Sequence, residues 1–583
     1  MRRLQAVLLC FALLGGLAAV AQARTSKAKN GAIAFSAKRG GTRAIFTREP
    51  NGANLRLVPT QGRADQPAVS PRGLRLAFTR YGSTGSQIWI TYLDGTGLRQ
   101  LTSGRGDAMP AWSAAGDQVV FASGARGRHD LYSIVADGSG LRRLTTSSAD
   151  DHSPDWAKNG RIAFVRGKRI YSLNPGSGAA RRLTGGRQPD ASPAWSPSGK
   201  TLVFVRGKAG RRDLYTLTAD GKHKRRLTAI PGDETAPAFS PDGTRVAFAH
   251  TRGGKRRLYL AKLKGRAITK LPARRGLRAR RLTSSRSASA APSWQPIGLP
   301  PVLAAAGDVA CSPSDPSFNG GEGRPGFCRQ RMTSDLMLRS DLSAVLAVGD
   351  LQYERGELQN FQAAYDPSWG RLKPLTRPVP GNHEYGTPAA AGYFDYFNGP
   401  GAQTGQAADR DKGYYSFDVG SWHVVALNSE CRQVGGCGPE SPQVRWFEQD
   451  LAAHPAACTL AYWHRPRFTS GRNDDNGDMA AAWNSAYAGN VDLVLAGHEH
   501  FYERFGPQTP EGVYDPVRGI RELVVGIGGR SRHALIGVAP NSEYRDNSTL
   551  GVAELTLREG GYDWRLVAAP SGRVPDSGSS ACH

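Results

Sequence analysis

The sequence predicts two folded units in one chain, an all-β six-bladed propeller followed by an α/β unit. Three observations predict this. Residues 30–297 repeat themselves with a period of about forty residues. After residue 300 the repeat gives way to short apolar runs, each ending in Asp, Asn or His. All the cysteines except Cys10 also lie beyond residue 300, so the two halves are chemically different. A length of 583 residues fits two or more domains.

The chain begins MRRLQAVLLCFALLGGLAAVAQARTS. Arg2 and Arg3 form a basic start, an apolar stretch follows, and Ala21-Gln22-Ala23 is a small-x-small cleavage site. Residues 1–23 therefore read as a secretory signal peptide, cut after Ala23, and the mature protein is expected to be secreted or otherwise extracytoplasmic. No later segment is apolar enough to span a bilayer, so no transmembrane segment is expected in the mature form.

Cys10 leaves with the signal. Six cysteines remain, an even number that suggests disulfides in an exported chain. Cys311–Cys328 and Cys431–Cys437 are the short-loop pairs, which leaves Cys458 with Cys582. Fifteen pairings are formally possible for six cysteines. The net charge of +27 suits a solubilising surface or attraction to polyanions. No basic motif with interleaved aromatics occurs, so no specific nucleic-acid partner is expected.

The repeat is carried by QPAVSPRGLRLAF, MPAWSAAGDQVVF, SPDWAKNGRIAF, SPAWSPSGKTLVF and APAFSPDGTRVAF. Strands such as DLYSI (130–134) and DLYTL (213–217) follow, then Asp-Gly turns at Asp94, Asp137 and Asp220. Each copy closes with LRQLT, LRRLT or a relative. Short β-type runs and Asp-Gly turns at this period predict four-stranded propeller blades. The first copy begins GAIAF and lacks a Pro-aromatic strand; the last stops after PSW. Joined, they complete one blade from both ends of residues 24–297, giving six. The pattern resembles the bacterial TolB-type, WD40-like propellers. Trp112, Trp156, Trp195, Phe239 and Trp294 recur at one place in each copy, which predicts packing between blades in preference to ligand stacking. His129, His152, His223 and His250 share no spacing and read as surface residues. The propeller's ligand is left open among a protein, a wall polymer and a polyanionic substrate.

The second unit, 298–583, follows a Pro-rich linker. PVLAAAGDVA ends at Asp308. SAVLAVGDLQY supplies Asp350 and Tyr353. RPVPGNHEY supplies Asn382, His383 and Glu384. ACTLAYWHRPRF supplies His464, and VDLVLAGHEH supplies His498 and His500. Sheets of this class collect ligands at the carboxyl ends of their strands. Hard oxygen donors mixed with imidazoles suit Fe, Mn or Zn over Ca. If residues 497–500 are extended, His498 and His500 face one way and Glu499 the other.

The order GD, GDxxY, GNH[E/D], strand-borne His and GHxH resembles the calcineurin-like metallophosphoesterases, and GHEHFYER resembles the purple acid phosphatases among them. The resemblance covers about 300–570 and implies a four-layer αββα sandwich holding two metal ions. Ala310 stands where many members carry a histidine, and Tyr353 supplies a phenol. The resemblance therefore implies Fe(III) at Asp308, Asp350, Tyr353 and His500. A divalent Fe, Zn or Mn would sit at Asp350, Asn382, His464 and His498, with Asp350 bridging. His383 would contact the phosphate or leaving group.

The implied reaction is phosphomonoester hydrolysis by a metal-bound hydroxide, in the acid phosphatase manner. A phosphodiesterase or nucleotidase on the same site is the alternative. A non-enzymatic binding protein with a relic phosphatase fold is the second alternative. Arg465 and Arg467 are candidate substrate contacts or rim charges, and Asp474 and Asp475 a candidate acid or a solvated loop. His423 reads as a strand residue and His454 as surface. His533 reads as a residue away from the site, with approach to the site as the alternative. Gly526, Gly528 and Gly529 read as a tight turn.

Overall fold

The computed structural model describes residues 27–124, 128–263, 279–283, 291–472 and 477–583. Residues 1–23, read above as a signal, and Asp474 and Asp475 lie outside the described residues.

In the first unit the repeat becomes antiparallel four-stranded meanders, such as Ala108–Trp112, Gln118–Ser123, Asp130–Val135 and Arg142–Arg143. Val, Phe, Tyr and Ile dominate their middle strands and favour the pleated, half-buried state. At the Asp137-Gly138 turn, the Ser139 amide donates to Asp137 Oδ1 at 2.7 Å and Gly138 has φ +101°. Four sheets have four strands. A fifth has eight, because Arg211–Thr218 and Gly232–Phe239 pair briefly in parallel. The Pro-aromatic strands pack in succession, and the last of them, Ser293–Ile297, meets the first again. That strand also pairs with Lys29–Arg39, with Ile33 opposite Trp294, so the end of the unit completes its beginning.

Trp112 is buried against Ala77, Ile88 and Ile90 of the preceding sheet, and its indole donates to Ala68 O at 2.9 Å. Trp294 donates likewise to Ala238 O at 3.3 Å. These anchors join neighbouring sheets. His250 corrects the surface reading given to the scattered histidines: it is buried, with Nδ1 2.7 Å from the buried Glu234 carboxylate. A strand that alternates around a core residue carries its polar neighbours inward too when they find a partner.

The second unit has two mixed sheets. The six-stranded sheet runs Thr376–Val379, Ala344–Val348, Val302–Ala306, Gly551–Arg558, Gly561–Ala568 and Ser577–Ala581, with its first three strands parallel. The seven-stranded sheet has four parallel strands at its centre: Trp422–Ala426, Thr459–Tyr462, Leu493–Ala496 and Arg521–Val525. Side-chain alternation sets the layers. Val424, Leu460, Leu493 and Leu523 enter one core with the six-stranded sheet. Their neighbours Val425, Ala461, Val494 and Val524 face the helices Pro442–Ala453 and Ala480–Ala488. Leu336, Met337 and Leu338 of the helix Gln330–Arg339 join the first core from the other side. The result is a helix–sheet–sheet–helix sandwich.

The three disulfides are Cys311–Cys328, Cys431–Cys437 and Cys458–Cys582. Among the described residues no helix is long and apolar enough to cross a membrane.

The two units touch through one buried and one part-buried ion pair. Arg75 donates to Asp341 Oδ1 at 3.2 Å, to Leu338 O at 2.8 Å and to Gly116 O at 2.7 Å. Arg339 pairs with Asp137 at 2.8 Å. Asp341 and Leu338 lie just before the strand Ala344–Val348. The propeller therefore docks at the amino-terminal end of that strand.

Candidate metal centre

The parallel strands end on one rim, and the polar residues stand just past those ends. Asp308 follows Ala306 by two residues, Asp350 follows Val348 by two, His464 follows Tyr462 by two, and His498 follows Ala496 by two. Asp308, Asp350 and His498 have φ of +62°, +50° and +69°, a left-handed conformation that costs a non-glycine residue energy. Such strain persists where surrounding structure enforces it, and it clusters at functional sites. Close approach is enabled by glycine: a Cβ on Gly349 would lie 2.5 Å from the His464 ring.

Both carboxylates are oriented in the same way. The Asp308 Oδ2 atom accepts the His498 amide at 2.8 Å, which leaves Oδ1 facing Tyr353 Oη at 2.9 Å and His500 Nε2 at 3.2 Å. Similarly, Asp350 Oδ1 accepts the His383 amide at 2.9 Å. Its Oδ2 faces Tyr353 Oη at 3.1 Å and His464 Nε2 at 3.2 Å. His498 Nδ1 lies 3.2 Å from His464 Nε2. One cluster thus gathers Asp308, Tyr353 and His500, another gathers His464 and His498, and Asp350 touches both. Asn382 is partly buried beside them, and its Oδ1 is a buried acceptor with no hydrogen-bond partner.

The ring orientations suit ligation. His464 Nδ1 lies 3.0 Å from Val348 O. A carbonyl only accepts, so Nδ1 carries a proton and Nε2 is the nitrogen turned toward Asp350 and the site. His500 Nδ1 meets Ser531 Oγ at 2.6 Å, which turns its Nε2 inward. Burial, with the positive His464 and Arg465 beside it, pushes His498 down to about 3 and keeps it a neutral imidazole. Burial lowers His464, but the Asp350 carboxylate outweighs it and raises this imidazole to about 10. Burial and the Asp308 and Asp350 charges push the Tyr353 phenol well up. Two buried carboxylates among imidazoles and a phenol, with Arg465 at the edge held by Glu430, form a pocket whose donors suit cations. The orphaned Asn382 oxygen and this donor set fit two adjacent metal ions.

His383 stands apart from both clusters. Its Nε2 is 3.8 Å from Asp350 Oδ2, its ring lies 4.2 Å from that of Tyr353, and Nδ1 donates to Glu354 O at 2.5 Å.

Several residues differ from their sequence reading. Residues 497–500 form a bend, and strand alternation does not deliver the two histidines. The left-handed turn at His498 sends His498 and His500 to different clusters. Glu384 is no donor to the centre. It is buried and accepts the amides of Asp350, Leu351, Gln352 and Gly381 at 2.8–3.1 Å. That clamp sets the Asp350 turn, and the Glu in GNHEY was its only sequence signal. Gly526 and Gly528 serve close approach: a Cβ on Gly526 would lie 2.1 Å from Glu499 O. His533 stacks on His500 at 3.8 Å between ring centres and reaches Glu499 at 3.1 Å. Arg465, held by Glu430 at 2.7 Å, comes within 3.2 Å of His498, whereas Arg467 lies over Phe468. His423 is a buried strand residue, and His454 is exposed.

The sandwich thus carries a rim of carboxylates, imidazoles and a phenol just past the ends of its parallel strands. Residues 330–502 match the family model of the calcineurin-like phosphoesterases. Residues 24–160, 66–208 and 161–287 match that of the TolB beta propeller domain. The first half of the chain is thus similar to TolB-type propellers, and part of the second half to calcineurin-like phosphoesterases. It is 29% identical over 211 residues to purple acid phosphatase 23 of Arabidopsis thaliana, covering 30% of this chain and 44% of that one. It is 25% identical over 324 residues to probable inactive purple acid phosphatase 9 of the same plant, covering 46% and 48%. TolB from Acinetobacter baumannii aligns at 22% identity and TM-score 0.40, covering 46% of this chain and 67% of that one. The chain spans about half the length of the curated relatives it matches.

Proposed function

We propose that the chain is an exported phosphoric ester hydrolase, acting on phosphomonoesters. Residues 1–23 would serve as its signal, 24–297 as a propeller and 298–583 as the catalytic domain. Asp308, Asp350, Tyr353 and His500 would hold Fe(III). Asp350, Asn382, His464 and His498 would hold a divalent Fe, Zn or Mn. The observation that carries this reading is the position of Asp350 Oδ2, 3.1 Å from the phenol of one cluster and 3.2 Å from an imidazole of the other.

When bound, such a metal pair supplies Lewis acidity and a water that deprotonates near neutral pH. The chain supplies the rest. Asp308 and Asp350 are locked by the His498 and His383 amides, so their free oxygens need no reorganisation. His383 donates Nδ1–H to Glu354 O, which directs Nε2 away from that carbonyl and toward the Asp350 side of the rim. In the protonated imidazole this Nε2–H is the group to deliver a proton to the departing alkoxide. Arg465 beside His498 places a fixed guanidinium where phosphate oxygens would enter.

The test is to purify the mature protein, measure its metal content and visible spectrum, and compare hydrolysis of mono- and diesters. Two metal equivalents, a ferric–phenolate absorption and preference for the monoester are expected. Asp350→Asn should lose one metal and slow turnover by about a thousandfold or more. An unchanged rate in Asp350→Asn overturns the assignment. A filled donor set with no turnover of any ester would favour the relic alternative.

A further inference from the structure

The charge of this protein is divided between its two units. Residues 24–297 hold 50 Lys and Arg against 16 Asp and Glu, a net of +34. Residues 298–583 hold 24 against 33, a net of −9. A merely solubilising surface gives no reason for such a split.

The excess sits on the propeller's perimeter. Four of the outermost strands are short, arginine-bearing and exposed: Arg56–Leu57, Arg142–Arg143, Ala180–Arg182 and Arg225–Arg226. Charge on an edge strand also blocks unwanted pairing, but either sign would do that. Here the sign is uniform. Arg143 and Arg226 pair with Asp130 and Asp213. Arg142 and Arg181 reach only carbonyl oxygens of the neighbouring sheet, Pro175 O and Ala219 O among them. Among the described residues, Arg56, Arg182, Arg187 and Lys224 have no acceptor.

The rim's surroundings narrow the partner. Among the described residues of this unit no Phe, Tyr or Trp ring is exposed, and the large exposed apolar side chains are the scattered aliphatics Leu55, Leu57, Leu141 and Ile297. A lone exposed imidazole, His223, does not make a row of rings for stacking successive bases. Scattered aliphatics give no continuous apolar face to enter a bilayer. Arginine forks match phosphate oxygens, and a curved row of them fits a flexible linear chain. The propeller docks at the amino-terminal end of the strand Ala344–Val348, whereas Asp350 lies past its carboxyl end. The two ends lie roughly 20 Å apart.

We propose that the propeller is an electrostatic anchor for a linear, base-free phosphate polyanion, held along its outer rim while the rim of the catalytic domain stays open. The anchor does not depend on the catalytic reading, because the binding it predicts is measured without turnover.

The test uses the full mature chain with EDTA present and long-chain inorganic polyphosphate as probe. Binding should weaken by about fiftyfold between about 50 and 200 mM salt, as expected when some four phosphates are neutralised. Replacing Arg56, Arg182, Arg187 and Lys224 together by Gln should lower affinity at least tenfold. It should leave thermal stability and hydrolysis of a small monoester unchanged. A control with Lys at the three arginines, and Lys224 kept, should bind within about threefold of the wild type. Wild-type affinity in the Gln variant overturns the proposal, as does salt-independent binding. So does tighter binding to an RNA of equal charge, or to phosphatidylglycerol vesicles, than to polyphosphate.

Discussion

The Tyr353 phenol oxygen lies 3.1 Å from His500 Nε2, although 147 residues separate them. Both groups also face Asp308 Oδ1, at 2.9 and 3.2 Å. Removing the phenol oxygen should therefore strip one donor from this cluster and leave the other cluster intact. Tyr353→Phe is expected to lose the visible ferric–phenolate band and to retain the divalent ion. Its rate should fall by at least about tenfold. Absorption spectra and metal analysis check this, and a variant that keeps the band would exclude Tyr353 as the coloured ligand.

His383 should behave differently. It touches neither cluster through its ring nitrogens at bonding distance, so His383→Ala should keep its metal content. Loss of a general acid costs about 10²- to 10⁴-fold in rate. The loss should be larger for an alkyl ester than for an aryl ester, whose leaving group needs no proton. Equal losses would make His383 a positioning residue.

A pair far from the centre gives a pH signature. The buried His423 meets Asp450 at 2.8 Å and Asp418 at 3.0 Å. Burial lowers this imidazole, but the bonds to the two carboxylates outweigh it and hold it above its usual value. Burial raises Asp450, and its bonds to His423 and Ser416 outweigh that and hold it below. A raised histidine stabilises fully below the unfolded value of about 6.5, and that stabilisation is lost as pH rises through the folded value. A lowered aspartate stabilises above about 4, and that is lost as pH falls. His423→Gln should therefore destabilise by about 2 kcal/mol near pH 5.5 and by less near pH 9. Thermal melts at the two values test the sign.

The Cys458–Cys582 bridge closes a loop of 124 residues and ties the start of the strand Thr459–Tyr462 to the chain's end. Cutting so long a loop should cost about 2–5 kcal/mol. Cys458→Ser with Cys582→Ser should melt earlier, with near-normal activity at low temperature. The cut lies at the amino-terminal end of a strand whose other end carries His464.

That Asp308, Asp350, His464 and His498 stand on one rim was legible in the sequence, because each follows a strand end and strand ends are local events. The runs before Asp308, Asp350, His464 and His498 all become buried strands followed by a turn. The repeat was equally legible, since Asp-Gly turns and alternating apolar residues act within a few positions. The role of Glu384 was not legible because its partners are backbone amides, which no sequence displays. The bend at His498 was misread because a left-handed residue other than glycine leaves no mark in composition.

The sequence by itself determined the two-unit plan, the inventory of donors and the cysteines available to pair. Tertiary structure alone decided which donors meet. Parallel register brings Asp308 and Asp350 side by side, and packing of one sheet on the other carries His464, His498 and His500 to them. It also decided that the propeller sits at the far end of the sheet, through the buried Arg75–Asp341 pair. Contacts across long separations depend on how layers stack, and short-range pattern does not encode that.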